Sequence, residues 1–301
     1  MSKSFGAIRA LADIYFTCEE GDIAAYIGPN GSGKTTTVRI LTGLCKPDSG
    51  SVTMFNVNTL TDYRKVGRMV SVLYETLGLS RALTVRQNLE FYARLRGHPR
   101  CIRDNDIDKA LEMVGITDRQ NSLTKKLSKG MLRRLALGRL FVMEPRILIL
   151  DEPFDGIDVA SRVAMTETLK NWVRQKGRCI LLSSHNMQEI EELCNRLFVL
   201  RNGRLVGSGT LESLHKMAEK DQIEVRLCER YKEAFVRKVL NEWGTQPVFA
   251  LAGTNLLLNI PGKEIGLVAG FLHQRGVRFE RISIKRESLT EIYLRMVGHH
   301  E

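Results

Sequence analysis

Gly28-Pro29-Asn30-Gly31-Ser32-Gly33-Lys34-Thr35, in a chain of 301 residues, fits the pattern G-x-x-x-x-G-K-[ST]. Glycines at these spacings let the backbone wrap tightly, so that successive N–H groups point inward at phosphate oxygens. Lys34 supplies a point charge suited to β and γ phosphates, and the Thr35 hydroxyl is suited to Mg²⁺. Such a loop needs a strand before it and a helix after it. Ile23-Ala24-Ala25-Tyr26-Ile27 is a short continuous apolar run, which suits a buried strand. Thr35 to Leu44 has a helical pattern, stopped by Lys46-Pro47-Asp48. The start of that helix adds its positive end to the same anion site.

Further along the chain, Ile147-Leu148-Ile149-Leu150 runs into Asp151-Glu152. A buried strand that ends in paired acids sets them at the carboxyl edge of a sheet, where ligands bind in open α/β folds. With the glycine loop upstream, Asp151 is the candidate for the Mg²⁺ shell and Glu152 for polarising an attacking water.

The rest of the first two thirds alternates in the same style. Ile8 to Thr17 has strand character and closes on the turn Glu20-Gly21-Asp22. Leu83 to Glu144 is helical by period. Thr84 and Gln87 form a capping-box pattern before a helix Val85 to Leu95. Gly97-His98-Pro99 ends that helix, a second covers Ile107 to Val114 and stops at Gly115, and a third begins near Ser128. Then come a strand Arg146 to Leu150, a helix Ser161 to Gln175, a strand Cys179 to Ser183 and a helix Met187 to Cys194. A strand Arg196 to Arg201 follows and ends in the hairpin signal Asn202-Gly203. This order predicts an α/β fold, a mostly parallel sheet with helices on both faces and a helical insertion at about 83–144.

The tail has its own order. It reads strand (Gln222 to Cys228), helix (Tyr231 to Trp243), strand (Pro247 to Leu251), strand (Leu256 to Ile260), helix (Glu264 to Arg275) and strand (Val277 to Ile284). That β-α-β-β-α-β order predicts a small α+β ferredoxin-like unit, closed by a helix Ser288 to Val297. Domain boundaries are expected at 1–215 and 216–301.

Composition excludes some classes and leaves others open. No stretch approaches the ~20 apolar residues of a membrane helix, and the N-terminus Met1-Ser2-Lys3-Ser4-Phe5 lacks the apolar core of a secretion signal. A cytoplasmic location is expected. The net charge of +11 is concentrated between Arg81 and Arg146, where 15 Lys/Arg stand against 7 Asp/Glu. Without interleaved aromatics this reads as a solvated or membrane-facing surface, and no nucleic acid is expected. The six cysteines are scattered and read as reduced thiols without chemistry.

Four further stretches carry a resemblance. Leu127-Ser128-Lys129-Gly130-Met131 resembles the LSGGQ signature of the ABC ATPase family. Asp155-Gly156-Ile157-Asp158 resembles its D-loop, and Ser183-Ser184-His185 its switch histidine. Phe5-Gly6 resembles its adenine-stacking aromatic. The resemblance covers residues 1 to about 215 and implies an ATPase that binds ATP and Mg²⁺. Two such domains are expected to pack head to tail around two ATP molecules. Each ATP would meet Gly33, Lys34 and Thr35 of one subunit and Ser128 and Gly130 of the other, and the resemblance also implies Gly28, Pro29, Asn30, Gly31, Ser32, Thr36 and Asp158 as nucleotide-binding residues. His185 would meet the γ-phosphate and hold Glu152 and the water. Lys34, Glu152 and His185 are thus the expected catalytic groups.

The family's usual glutamine before the insertion is replaced by Glu75, which is either a metal-side residue beside Thr35 and Asp151 or an exposed loop acid. Lys129 and Met131 replace a glycine and a glutamine of the signature. Ser288-Leu289-Thr290-Glu291-Ile292-Tyr293-Leu294 is similar to the ending of ATPase subunits of drug and polysaccharide exporters. The implied partners are an integral-membrane permease and a second ATPase subunit, identical or not, with the chain peripheral on the inner membrane face. Two other readings compete with this one. A soluble ABC ATPase acting on ribosomes or DNA would ordinarily carry two ATPase halves or long heptad runs, and neither is present. A non-hydrolysing ATP-binding regulator would fit Glu75 but not the intact Lys34, Asp151, Glu152 and His185.

Overall fold

The computed structural model describes residues 1–96, 104–217, 222–243, 247–285 and 287–298. The expected helix stop Gly97-His98-Pro99 and Cys101 lie outside these described residues. By backbone contacts the chain divides into two units, Met1–Leu211 and the part from Glu212 onward.

The first unit opens with a hairpin of β1 (Lys3–Phe5) and β2 (Ile8–Leu11). The strand expected to reach Thr17 stops at Leu11, because Asp13 turns the chain at a φ of 61° and its N–H is taken by Ser2 Oγ at 3.0 Å. β3 (Ile23–Ile27) is buried at all five positions and leads through the glycine loop into α1 (Lys34–Leu41). A short ribbon of β4 (Thr53–Met54) and β5 (Val57–Asn58) follows, then α2 (Tyr63–Met69) and β6 (Val70–Leu73). The insertion holds α3 (Val85–Leu95), α4 (Asp104–Met113) and α5 (Lys129–Phe141). The Thr84–Gln87 capping box is formed as predicted.

The chain returns as β7 (Ile147–Asp151), α6 (Val159–Val173), β8 (Cys179–Ser183), α7 (Met187–Leu193), β9 (Arg196–Arg201) and β10 (Arg204–Thr210). The principal sheet has the order β10-β9-β3-β8-β7-β6 and is mixed but mostly parallel. Only β10 runs antiparallel, through Asn202 and Gly203, both at positive φ. β3 and β8 are buried on both faces, as parallel strands inside an α/β sheet must be. Tyr26, Ile40, Phe198, Leu200, Ile149 and Leu181 belong to one apolar cluster that fixes the edge from which the loops emerge.

After α8 (Leu211–Met217), the second unit holds β11 (Gln222–Leu227), α9 (Glu233–Asn241), β12 (Phe249–Ala252), β13 (Asn255–Leu258), α10 (Ile265–Gln274), β14 (Phe279–Lys285) and α11 (Leu289–Gly298). Its four strands are all antiparallel, in the order β12-β13-β11-β14. Ile223, Val225, Leu256 and Leu258 share a core with Val236, Leu240, Val268 and Leu272 of α9 and α10.

Candidate nucleotide site

The glycine loop is shaped by what a side chain would strike. A Cβ on Gly28 would sit 2.2 Å from the Leu200 carbonyl oxygen. One on Gly33 would sit 2.6 Å from Leu11 Cδ2 and 2.7 Å from the Ala10 carbonyl oxygen. Gly33 also holds a φ of 106°, which L side chains rarely adopt. Gly31 has a positive φ as well but faces open space. The loop is pinned from outside: Gly203 N–H donates to the Ser32 carbonyl (3.0 Å), and Ala12 N–H to the Gly203 carbonyl (2.7 Å). From below, Tyr26 Oη and Thr37 Oγ1 are hydrogen-bonded at 2.8 Å, and Thr37 Oγ1 also donates to the Gly33 carbonyl at 3.1 Å.

Lys34, the first residue of α1, folds its ammonium back onto the loop, donating to the carbonyls of Gly28 (2.7 Å) and Pro29 (3.1 Å). Partial burial lowers its pKa, opposed by the negative charges of Glu152 and Asp151. Both oxygens that hold this ammonium are neutral backbone carbonyls, so its charge is not paired with a carboxylate by a direct hydrogen bond. Ser32 Oγ is buried without a protein partner. A loop in which two Cβ positions are forbidden, with an orphan hydroxyl and a lysine folded onto carbonyls, fits a nucleotide's phosphates. Thr35 is exposed in the first turn of α1, and Thr36 is half-buried beside it.

Two strands away, β7 ends on Asp151. Its Oδ1 accepts a hydrogen bond from Ser183 Oγ at 2.5 Å, at the register position where Asp151 pairs with Ser183. Glu152 N–H is shared between the Ser183 carbonyl and its hydroxyl, both at 3.2 Å. Glu152 itself stands at a φ of 44°, unusual for any residue with a Cβ. Its Oε2 accepts from His185 Nδ1 at 2.9 Å, while the His185 side chain is 78% exposed.

The backbone on either side of His185 is tied down. Ser184 Oγ donates to Glu189 Oε2 (2.7 Å) and Asn186 Nδ2 to Glu189 Oε1 (3.2 Å), while Arg162 Nε lies 3.5 Å from that same oxygen. Asn186 Oδ1 also caps α7.

Glu75 is exposed. It lies two residues beyond Leu73, the partner of Leu150 in the parallel β6–β7 register, so it shares the edge that carries Asp151 and Glu152. Phe5 ends β1 with half its surface exposed and Lys3 Nζ 5.4 Å from its ring centroid.

Ser128 is the N-cap of α5, its hydroxyl accepting from Met131 N–H at 3.2 Å. Gly130 is buried, and a Cβ there would lie 2.6 Å from Ser161 Oγ and 3.1 Å from Asp158 Oδ2. Asp158 caps α6 by accepting from Ser161 N–H (2.9 Å) and Ser161 Oγ (2.8 Å), and these bonds hold its carboxyl below the usual range. The structure therefore gives Gly130 and Asp158 a contact within one chain, where the resemblance implied for Gly130 only a contact across a dimer.

Tyr26, Thr37, Ser161 and Glu189 do not stand out in the sequence. Ser183 had a signal, a hydroxyl ending the strand next to an acid-terminated one.

Comparison with known proteins places this geometry in a family. A family model described as ABC transporter matches residues 11–155. Daunorubicin resistance ATP-binding protein DrrA2 of Streptomyces coeruleorubidus is 32% identical over 99% of this chain and 94% of its own length. Bacitracin transport ATP-binding protein BcrA of Bacillus licheniformis is 28% identical over 99% of this chain and 95% of its own. Among solved structures, cbiO1 from Clostridium perfringens, part of the ABC transporter complex cbiONQ, superposes with a TM-score of 0.65. It is 26% identical and covers 80% of this chain and 92% of that one. No helix among the described residues is long and apolar enough to cross a membrane. The chain belongs to the ABC transporter family, as one of its ATP-binding, ATP-hydrolysing subunits.

Proposed function

We propose that this ATPase subunit drives export through a separate membrane permease, and that it works by closing head to tail on a second ATPase subunit around ATP. The carrying observation is Glu152, held at a φ of 44° with its carboxylate 2.9 Å from His185 Nδ1. Backbone strain of this kind persists where the surrounding structure over-determines it, as the paired bonds to Ser183 do here. Export is supported by the resistance and transport names of DrrA2 and BcrA, whose lengths this chain spans almost entirely.

In this reading the loop N–H groups and Lys34 bind the phosphates, with Lys34 exchanging the Gly28 and Pro29 carbonyls for charged oxygens. Glu152 orients the attacking water and takes its proton, and His185 fixes the carboxylate through Nδ1, leaving Nε2 available to the substrate. Thr35 and Asp151 would hold Mg²⁺, with Glu75 near them. Bound there, Mg²⁺ would neutralise charge on the β and γ oxygens. Ser128, at the tip of α5, offers a helix N-terminus to the partner's nucleotide. Phe5 would stack on adenine.

Glu152→Gln tests this. It should retain ATP binding, lower turnover by roughly 10²–10³ as loss of one catalytic group does, and accumulate a dimer in ATP and Mg²⁺ by size exclusion with light scattering. A strictly monomeric profile would sink the head-to-tail mechanism.

A further inference from the structure

The second unit carries a like-charge pair that its fold does not need. β11 and β14 pair with Arg226 directly opposite Arg281 and Glu224 opposite Ser283, while β13 places Asn255 opposite Arg226 on the other side. Strand alternation sends Ile223, Val225, Leu227, Leu256 and Leu258 into the core under α9 and α10. Glu224, Arg226, Asn255, Arg281 and Ser283 are left on the open face, where they line a concavity of about 190 Å³.

Like charges directly opposite in an antiparallel pair destabilise a sheet. Here a β-bulge enforces the arrangement. The register shifts between Arg226 and Leu227, so Glu280 is the extra residue of β14, and its Oε2 lies 3.5 Å from Arg226 Nε. Bulges recur where a side chain must be re-aimed. Arg226 is thus partly countered. Among the described residues, the side chains of Arg281, Asn255, Ser283 and Glu224 have no hydrogen-bond or ion-pair partner.

We propose that this concavity binds a small phosphorylated amine, its phosphate gripped between Arg226 and Arg281 and its ammonium group held at Glu224. Two guanidinium forks from neighbouring strands match the several oxygens of a phosphate. Asn255 and Ser283 add neutral donors beside them. The Glu224 carboxylate repels a bare anion and favours one that carries a positive charge a few atoms away. Two residues along one strand face span about 6.7 Å, room for a phosphate and a two-carbon amine. Free phosphoethanolamine and the same headgroup on a lipid share this chemistry.

The test uses the whole chain saturated with Mg²⁺ and a non-hydrolysable ATP analogue, whose three phosphates leave no position for a further phosphate in the glycine loop. Calorimetric titration with O-phosphoethanolamine should give saturable binding about tenfold or more tighter than inorganic phosphate, the scale of one charge-assisted contact. Arg281→Thr should weaken it by a similar factor while raising Tm, since the like-charge opposition is relieved. Glu224→Gln should abolish the preference over inorganic phosphate. Cosedimentation with phosphatidylglycerol vesicles, with and without phosphatidylethanolamine, separates the sources. A gain that needs both phosphatidylethanolamine and Arg281 marks a lipid headgroup, and binding of the free compound alone marks a soluble ligand. Neither arm showing Arg281-dependent binding would overturn the proposal. So would a folded Arg281→Thr protein that binds undiminished, or tighter binding of inorganic phosphate.

Discussion

Gly33→Ala and Gly31→Ala form a pair that tests how closely β2 packs on the glycine loop. Both glycines hold positive φ, 77° at Gly31 and 106° at Gly33; near the left-handed region an alanine costs about 1–2 kcal/mol, and at Gly33, beyond that region, at least as much. Each also regains about 0.4–1 kcal/mol from a stiffer unfolded chain. At Gly31 the new methyl meets nothing within 4 Å, so the net cost there is small. At Gly33 it must fit 2.6 Å from Leu11 Cδ2 and 2.7 Å from the Ala10 carbonyl oxygen. The second neighbour is backbone of β2 and cannot rotate away, so about 1–3 kcal/mol of overpacking is added. For a unit of this size ~1 kcal/mol moves Tm by about 2–4 °C. Gly33→Ala should therefore melt roughly 2–12 °C below Gly31→Ala. Calorimetry without nucleotide measures the difference directly, since no ligand then distinguishes the two proteins. Equal melting temperatures would show that β2 does not press on the loop as described.

Lys34→Ala should lose ATP affinity in a fluorescent-nucleotide titration with little change in Tm, because the ammonium holds only two loop carbonyls; unchanged affinity would remove Lys34 from the phosphate site. Glu75→Gln should keep or raise ATPase activity if the carboxylate sits beside the metal, and abolished activity would mean that it has another role. Gly130→Ala should weaken the α5–α6 contact by pushing on Ser161 and Asp158. It should lower both Tm and turnover, and an effect on turnover alone would return Gly130 to a purely cross-dimer role. Burial pushes the Cys18 thiol up to about 12 and that of Cys179 to about 11. In the unfolded chain both ionise near pH 8.5, so their contribution to stability is complete below that and declines as pH rises toward 11–12. Mass spectrometry after iodoacetamide at pH 8 should find exposed Cys228 modified well before either, and labelling of Cys18 at the rate of Cys228 would refute the shift.

What could be read beforehand was whatever depends on neighbours along the chain. The glycine loop, the Thr84–Gln87 cap, the Asn202-Gly203 hairpin and the acid-terminated β7 are local chemistry, and each stands where the sequence put it. α6 starts at Val159 rather than Ser161 because Asp158, read only as a D-loop acid, is its cap. β6 escaped notice because four residues following a helical segment carry little periodic signal, and only the pairing of Val70 with Ile147 makes them a strand. The same limit hid Ser183 as the partner of Asp151 and Glu189 as the anchor beside His185. Those contacts join residues whose proximity the sheet order creates. Gly130 is the reverse case, a residue noticed for its motif whose small size has a packing reason in Ser161.

The anchoring around His185 has a kinetic consequence. Ser184 and Asn186 are fastened to one carboxylate, and that carboxylate is fastened to Arg162 of α6. The imidazole between them is largely exposed, with Nδ1 bonded to Glu152. Once that bond breaks, it can swing about its own two torsions on the picosecond-to-nanosecond scale without the slower rearrangement that a loose loop would need. In the proposed cycle, a ring that turns this quickly is no bottleneck beside any step that moves whole subunits.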